Sequence, residues 1–103
     1  MDISINRFDS LEQMIYDENI RIKAIDVHPD MDLLVVILNT GSVLKEKLSV
    51  FFDVNNLKTE QLLNYTLIGN GTGIHWSDFD EDLSLKGLLR DTLKNQLLAG
   101  KVA

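Results

Sequence analysis

The sequence predicts an α+β fold, with a small antiparallel sheet of about five strands built as a meander plus a hairpin, short helices and a C-terminal helix. Three features predict it. Apolar and polar residues alternate in short segments, turn-forming residues separate these segments, and leucines recur every three or four residues near the C-terminus. Connections of so few residues join antiparallel strands. The chain has 103 residues, which is enough for one hydrophobic core.

Three strands are predicted in the first half of the chain. Residues 20–27 alternate between apolar and polar side chains with a period of two. Residues 33–38 are all apolar and largely β-branched, which is typical of a central strand covered on both faces. Residues 43–48 form the third strand. The segments 28–31 and 39–42 contain Pro, Asn, Asp and Gly and supply the two turns of a meander.

The second half of the chain predicts a hairpin. An apolar cluster, which we expect to close one end of the sheet, consists of Phe51, Phe52 and Val54, and Thr59 is placed to cap a short helix. Residues 65–68 and 74–76 then read as two strands. The glycine-rich segment between them supplies the positive backbone dihedral angles that a tight turn needs.

A helix is predicted near each end of the chain. Ser10 and Gln13 have capping-box spacing, which favours a helix over residues 11–17. Ser84 or Asp82 is placed to cap the last helix. One stripe of that helix carries Leu85, Leu88, Leu89, Leu93 and Leu97. Because a domain of this size leaves little to cover the second half of the stripe, we expect this helix to contribute to a homodimer or to dock on a partner.

Composition excludes several classes of function. Sixteen acidic against ten basic residues give a net charge of -6, which repels nucleic acid and favours a basic protein partner. The chain has no cysteine, so disulfides, thiolate metal sites and a cysteine nucleophile are excluded. No apolar run is long enough to cross a bilayer, and the first residues lack the layout of a signal peptide. A cytoplasmic protein without a membrane partner is the expectation.

The most distinctive segment joins glycines, an aromatic pair and a cluster of acids. Residues 69–73 contain three glycines, and His75, Trp76 and an acidic stretch over residues 78–82 follow. A phosphate-binding loop requires a helix directly after the glycines and a lysine nearby. Here the order is strand, turn, strand, and no lysine follows, so the glycines are interpreted as a hairpin turn.

The segment from Tyr65 through Leu89 closely resembles the bacterial family called domain of unknown function 2442. Its signature elements stand here as G-T-G-I-H-W, D-E-D-L-S and G-L-L. The resemblance extends over residues 20–90 and implies a small α+β domain without an accepted catalytic activity. Relatives are often encoded beside another small uncharacterised domain, in an arrangement suggestive of toxin–antitoxin pairs.

The chain departs from the family pattern at two places. Lys47 or Leu48 stands where many relatives have a proline, and Leu62 stands where they have an arginine, so no role of that arginine is carried over. The resemblance suggests a division of the chain into three parts. These are an N-terminal extension over residues 1–19, a core domain over residues 20–90 and a C-terminal helical tail over residues 91–103.

The favoured function is a non-enzymatic protein-interaction or regulatory module, in the manner of the antitoxin-like member of a two-protein system. This prediction is motivated by the net charge, by the absence of a nucleophile and by the tendency of relatives to be encoded beside another small domain. Aromatic residues concentrate binding energy at interfaces, although core packing is the commoner fate of a tryptophan. The predicted interaction surface consists of His75, Trp76, Asp78, Asp80, Glu81 and Asp82.

Two chemical alternatives use the same segment. A small hydrolase or transferase would employ His75 as a general acid–base oriented by Asp78 or Asp80. Alternate aspartates from Asp78 onward also resemble the first ligands of a calcium loop, but Leu83 and Leu89 stand where the loop needs glycine and glutamate. We therefore assign no metal ligand, no cofactor and no catalytic residue. The acids are expected to cap the last helix or to face water.

Overall fold

Six strands and four α-helices follow one another in the described part of the chain. The computed structural model describes the backbone of residues 3–102 and the side chains of residues 10–98. The elements are α1 (Ile3–Asp17), β1 (Ile22–His28), β2 (Leu33–Leu38), β3 (Val43–Glu46), α2 (Leu48–Phe51), α3 (Thr59–Leu63), β4 (Tyr65–Ile68), β5 (Gly73–Trp76), β6 (Glu81–Ser84) and α4 (Leu85–Val102). Two 3-10 turns, Pro29–Met31 and Val54–Asn56, lie between them.

The strands form two antiparallel sheets of three, in the orders β1-β2-β3 and β4-β5-β6. The prediction of one sheet of about five strands is therefore wrong in the number of both strands and sheets. The additional strand, β6, lies in the acidic segment and pairs with β5 from Trp76 opposite Glu81 to Gly73 opposite Ser84. Acidic residues are poor strand formers, but pairing with a buried neighbour overrides that preference.

The two sheets meet edge to edge without forming a common ladder. The backbone N–H of Ile22, at the start of β1, donates to Gly71 O at 2.7 Å. The hydroxyl of Tyr65, at the start of β4, donates to Ile25 O at 3.2 Å. These two contacts fix the second sheet against the first.

The first sheet is the predicted meander. β2 lies in its centre and pairs along its length with β1 and β3. One face of β2, formed by Leu34, Val36 and Leu38, is buried, whereas the alternate side chains are half-buried. The expectation that this strand is covered on both faces therefore holds fully for one face only.

The hydrophobic core lies between the buried faces of the sheets and the helices. An aromatic group closes it: Phe52 meets Trp76 edge-on with ring centroids 4.9 Å apart, and meets Phe79 edge-on at 5.2 Å. The apolar cluster after β3 thus fills one end of the core, as expected. The side chains that are completely or almost completely buried are Trp76, Leu34, Leu48, Leu62, Ile74, Leu85, Leu88 and Val36.

Helix ends correct the predicted capping residues. α1 is longer than the expected 11–17, so Ser10 lies inside the helix instead of capping it. At α3 the helix already includes Thr59, and Gln61 Oε1 accepts the N–H of the preceding Lys58 at 2.8 Å. At α4 the prediction of a Ser84 cap is confirmed, since Ser84 Oγ accepts the N–H of Gly87 at 3.0 Å. Within the described residues, no helix has the length and apolarity needed to span a bilayer.

Candidate interaction face on the second sheet

His75 and Asp82 lie side by side on neighbouring strands. The register places Thr66, His75 and Asp82 in one row across β4, β5 and β6. Side chains of directly opposite residues lie on the same face of a sheet. His75 Nδ1 forms a hydrogen bond with Asp82 Oδ1, and the side chains are 30% and 64% exposed. The pair is open to solvent.

Trp76 lies on the opposite face of β5, because successive side chains of a strand alternate. It is completely buried, and its Nε1 donates to Leu62 O at 2.8 Å. The predicted interaction surface included this residue. Its burial corrects that prediction, since an indole held in the core offers no surface to a partner.

The turn between β5 and β6 carries two aspartates around an inward-facing aromatic ring. Asn64 Nδ2 donates to Asp78 Oδ2 at 3.2 Å and ties the turn to the end of α3. Phe79 is partly buried against Phe52. Asp80 adopts the left-handed conformation at φ 50°, which aspartate tolerates better than most residues. The turn therefore displays its acids from a fixed geometry.

We name the remainder of the predicted surface the acidic face: His75, Asp78, Asp80, Glu81 and Asp82. Glu81 pairs with Trp76, so its side chain lies on the other side of β6 from that of Asp82. All four carboxylates on it are exposed. Among the side chains that the structure describes, no group of three His, Asp or Glu residues is placed to hold a metal ion. Helix capping, which the sequence suggested for some of these acids, is performed by the Ser84 hydroxyl instead.

The sequence did not identify the partner of His75. The catalytic alternative paired it with Asp78 or Asp80, but the structure brings Asp82 to it. A signal was present, because His75 and Asp82 are equally distant from the centre of the turn between the strands, as paired residues of a hairpin are. This equal spacing indicates a pair only if the segment Glu81–Ser84 forms a strand.

The glycine-rich segment is a structural turn, as predicted. It joins the paired strands β4 and β5, with Gly69 and Gly71 at φ 58° and 87°. Thr72 Oγ1 closes it by donating to Gly69 O at 2.7 Å. A Cβ at Gly71 would lie 2.8 Å from Ile22 O, so only glycine allows this turn to pack on β1.

Comparison with known proteins confirms the resemblance found in the sequence. Residues 24–92 match the family model described as "Protein of unknown function (DUF2442)". No curated protein is significantly similar to the chain.

Two solved structures share the fold. One is the crystal structure of a protein of unknown function from Rhodospirillum rubrum, with 25% identity, a TM-score of 0.62, and coverage of 70% of this chain and 87% of that chain. The other is the solution structure of an uncharacterised protein from Chromobacterium violaceum. It has 22% identity, a TM-score of 0.63, and coverage of 87% of this chain and 85% of that chain. These likenesses support the architecture and name no activity.

Proposed function

Because the chain belongs to the DUF2442 family, whose description names no activity, we propose its function from its geometry: it is a non-enzymatic module that binds a basic protein partner through the acidic face. The single observation that carries the proposal is the fixed turn between β5 and β6. There Phe79 is packed against Phe52 while the aspartates on either side of it are exposed. A surface already held in its binding geometry loses less conformational entropy when a partner docks.

The charge of this region supports a basic partner. Residues 59–85 contain no lysine or arginine, whereas Lys58 and Lys86 stand just outside that segment. This stretch of sequence therefore contains no lysine or arginine that could neutralise the acidic face. Complementary charge on a partner would speed encounter and fix orientation.

The test neutralises the face without changing its shape. In the triple variant Asp78→Asn, Asp80→Asn, Glu81→Gln, each side chain keeps its size, and asparagine tolerates the left-handed conformation at position 80. The tagged chain is used to capture partners from cells of the source organism. We expect the wild type to retain a basic protein and the triple variant to bind it at least about tenfold more weakly.

A matched control separates local charge from net charge. The variant Glu18→Gln, Asp26→Asn, Asp30→Asn removes three exposed carboxylates elsewhere and reaches the same net charge of -3, which is -6 plus three. It should bind the partner as the wild type does. Equal binding by both triple variants, or capture of acidic proteins alone, would refute the proposal.

We further propose that the partner is the toxin-like member of a two-protein system. The gene arrangement implied by the family supports this role, and so does the acidic character of the chain. The product of the adjacent gene is expressed alone and together with this chain. Growth arrest that the wild type relieves and the acidic-face variant does not relieve is the expected result. An adjacent product without effect on growth would count against an antitoxin role.

The exposed side of α4 supports self-association as a second kind of contact. Leu93, Leu97 and Leu98 are 56%, 67% and 48% exposed. Exposed apolar side chains on one helix mark association sites. We expect the wild type to be a homodimer by light scattering and the double variant Leu93→Gln, Leu97→Gln to be a monomer, with Lys94→Gln as the control. A wild type that stays monomeric at all concentrations contradicts this prediction.

The contact between His75 and Asp82 favours one alternative function, a small hydrolase or transferase. Thr66 lies opposite His75 in the same row and supplies a hydroxyl. The row lies on an exposed sheet face, which ranks this function second, because general acid–base sites are usually partly enclosed. Turnover of ester or phosphoester substrates that Asp82→Asn lowers about 100-fold and Asp78→Asn leaves intact would establish it. Absence of turnover by the wild type would refute this alternative function.

A further inference from the structure

A cavity of about 300 Å³ lies between the end of α1 and the start of α4. Its apolar floor is formed by Ile15 and Leu85, which are 6% and 1% exposed. Its polar walls include Arg21, Thr72 and Lys86. The chain thus has a concave site with an apolar floor and cationic walls, a combination that small-molecule sites commonly show.

Arg21 is the unusual member of this cavity. Its Nη1 donates to Ile20 O at 2.7 Å and to Ile15 O at 3.4 Å. Its Nε is buried and has no hydrogen-bond partner. None of the carboxylates that the structure describes forms an ion pair with it, and the side chain is partly buried. A buried donor without a partner costs free energy.

The backbone around Arg21 is held in place, so the side chain is presented from a rigid base. The N–H of Arg21 donates to Asn39 Oδ1 at 3.0 Å, and the N–H of Asn39 donates to Arg21 O at 2.8 Å. Asn39 Nδ2 also donates to Asn19 O at 2.8 Å. The position of the guanidinium therefore depends on its own side-chain rotamer and not on loop movement.

Arg21 gives the cavity a positive charge that none of the described carboxylates offsets. Lys86 Nζ lies 3.3 Å from Glu12 Oε2 at the rim, so these two charges offset each other. The Arg21 charge remains. The first residues of α4 form part of the wall, and the positive end of the helix dipole adds to this potential.

We propose that this cavity binds a small molecule that carries one carboxylate next to a compact apolar group. The carboxylate pairs with the guanidinium of Arg21, and the apolar group lies on Ile15 and Leu85. A planar carboxylate matches the fork of an arginine, and a slight turn of the side chain toward the cavity would give Nε the acceptor it lacks. This site is independent of the proposed partner-binding function.

The experiment uses the full chain labelled with ¹⁵N and follows backbone amide signals by NMR during titration. Benzoate is the probe, and benzamide is its neutral isostere. We expect benzoate to shift the amide signals of Arg21, Thr72 and Leu85 with a dissociation constant on the order of 1 mM, and benzamide to leave them unchanged. Equal effects of the two probes, or no effect of benzoate, would overturn the proposal. Tighter binding of inorganic phosphate at these residues would overturn the assignment to a carboxylate.

Two pairs of variants locate the binding to the cavity. Arg21→Gln should weaken benzoate binding at least about tenfold, and the exposed control Arg90→Gln should not. Because Arg21 also bonds to the end of α1, a second pair avoids disturbing the fold. Tyr16 lines the cavity but is 76% exposed, so Tyr16→Glu and Tyr16→Gln should both fold. Only the charged variant should weaken binding, by about threefold or more. Equal affinity of these two variants for benzoate would contradict binding in this cavity.

Discussion

The two sheets have the same number of strands and the same sequential strand order, but they are buried in different ways. In the first sheet every strand contributes core residues, with Ile22, Leu34 and Leu44 as one example from each. In the second sheet only β5 is buried, and the side chains of β4 and β6 are exposed or half-buried. The difference shows that one well-anchored strand is enough to place a sheet. Its flanking strands are then free to carry polar groups.

The anchors of the second sheet are few and can be named. Trp76 bonds to Leu62 O, and Tyr65 bonds to Ile25 O. The N–H of Leu85 donates to Thr72 O at 2.8 Å and ties the start of α4 to the turn before β5. Because each of these contacts holds a residue of the second sheet or of the turn before β5, their removal should affect the second sheet more than the first.

The largest loss of stability is expected from replacing Trp76. Trp76→Ala should lower the free energy of unfolding by about 3–5 kcal/mol, because it leaves a large cavity in the core. Trp76→Phe should cost about 1–2 kcal/mol, because the Leu62 carbonyl then lacks its donor. Urea unfolding measures both values.

Hydrogen exchange on the milder variant makes the comparison sharper. In Trp76→Phe, amides of β4, β5 and β6 should exchange faster than in the wild type, while those of β2 keep their protection. Uniform acceleration in both sheets would show that they unfold as one unit. A cost below about 1 kcal/mol for Trp76→Ala would show that β5 is not the anchor.

A smaller loss of stability is expected from replacing Phe79, which anchors only the turn between β5 and β6. The ring is partly buried, so Phe79→Ala should cost about 2 kcal/mol, less than a fully buried aromatic. Tyr16→Ala removes an aromatic ring that is 76% exposed and should change stability by less than about 0.5 kcal/mol. Thermal unfolding compares the two variants. If Phe79→Ala leaves both stability and partner binding unchanged, the turn is not held by this ring.

The same contrast explains which parts of the fold the sequence could predict. The first sheet was predictable because the alternation of apolar and polar residues before His28 and the apolar run of β2 leave a clear pattern in the sequence. The hairpin of β4 and β5 was predictable from the glycines at its turn. β6 was not, since Glu81–Ser84 is polar and its strand conformation comes from pairing with β5.

The candidate site was predictable only in its sequence position. Alternation along a strand indicates that neighbours such as His75 and Trp76 face opposite ways, but it does not indicate which of the two lies in the core. That outcome depends on Phe52 and Leu62, which are distant in sequence and meet the indole only after folding. The cavity at Arg21 left no local signal, because its walls come from four separate segments.

The smallest effect on stability is expected from the pair of His75 and Asp82. A double-mutant cycle with His75→Gln and Asp82→Asn measures their coupling in the free energy of unfolding. Because Asp82 is 64% exposed, water screens the interaction, and the coupling should be about 0.5 kcal/mol and weaken with salt. The pair Asn64→Ala and Asp78→Ala, also exposed, is the control and should give a similar value. A coupling above about 2 kcal/mol would mean that the pair is desolvated in solution. In that case the second sheet would hold an enclosed acid–base pair, and the hydrolase alternative would replace the interaction face as the favoured function.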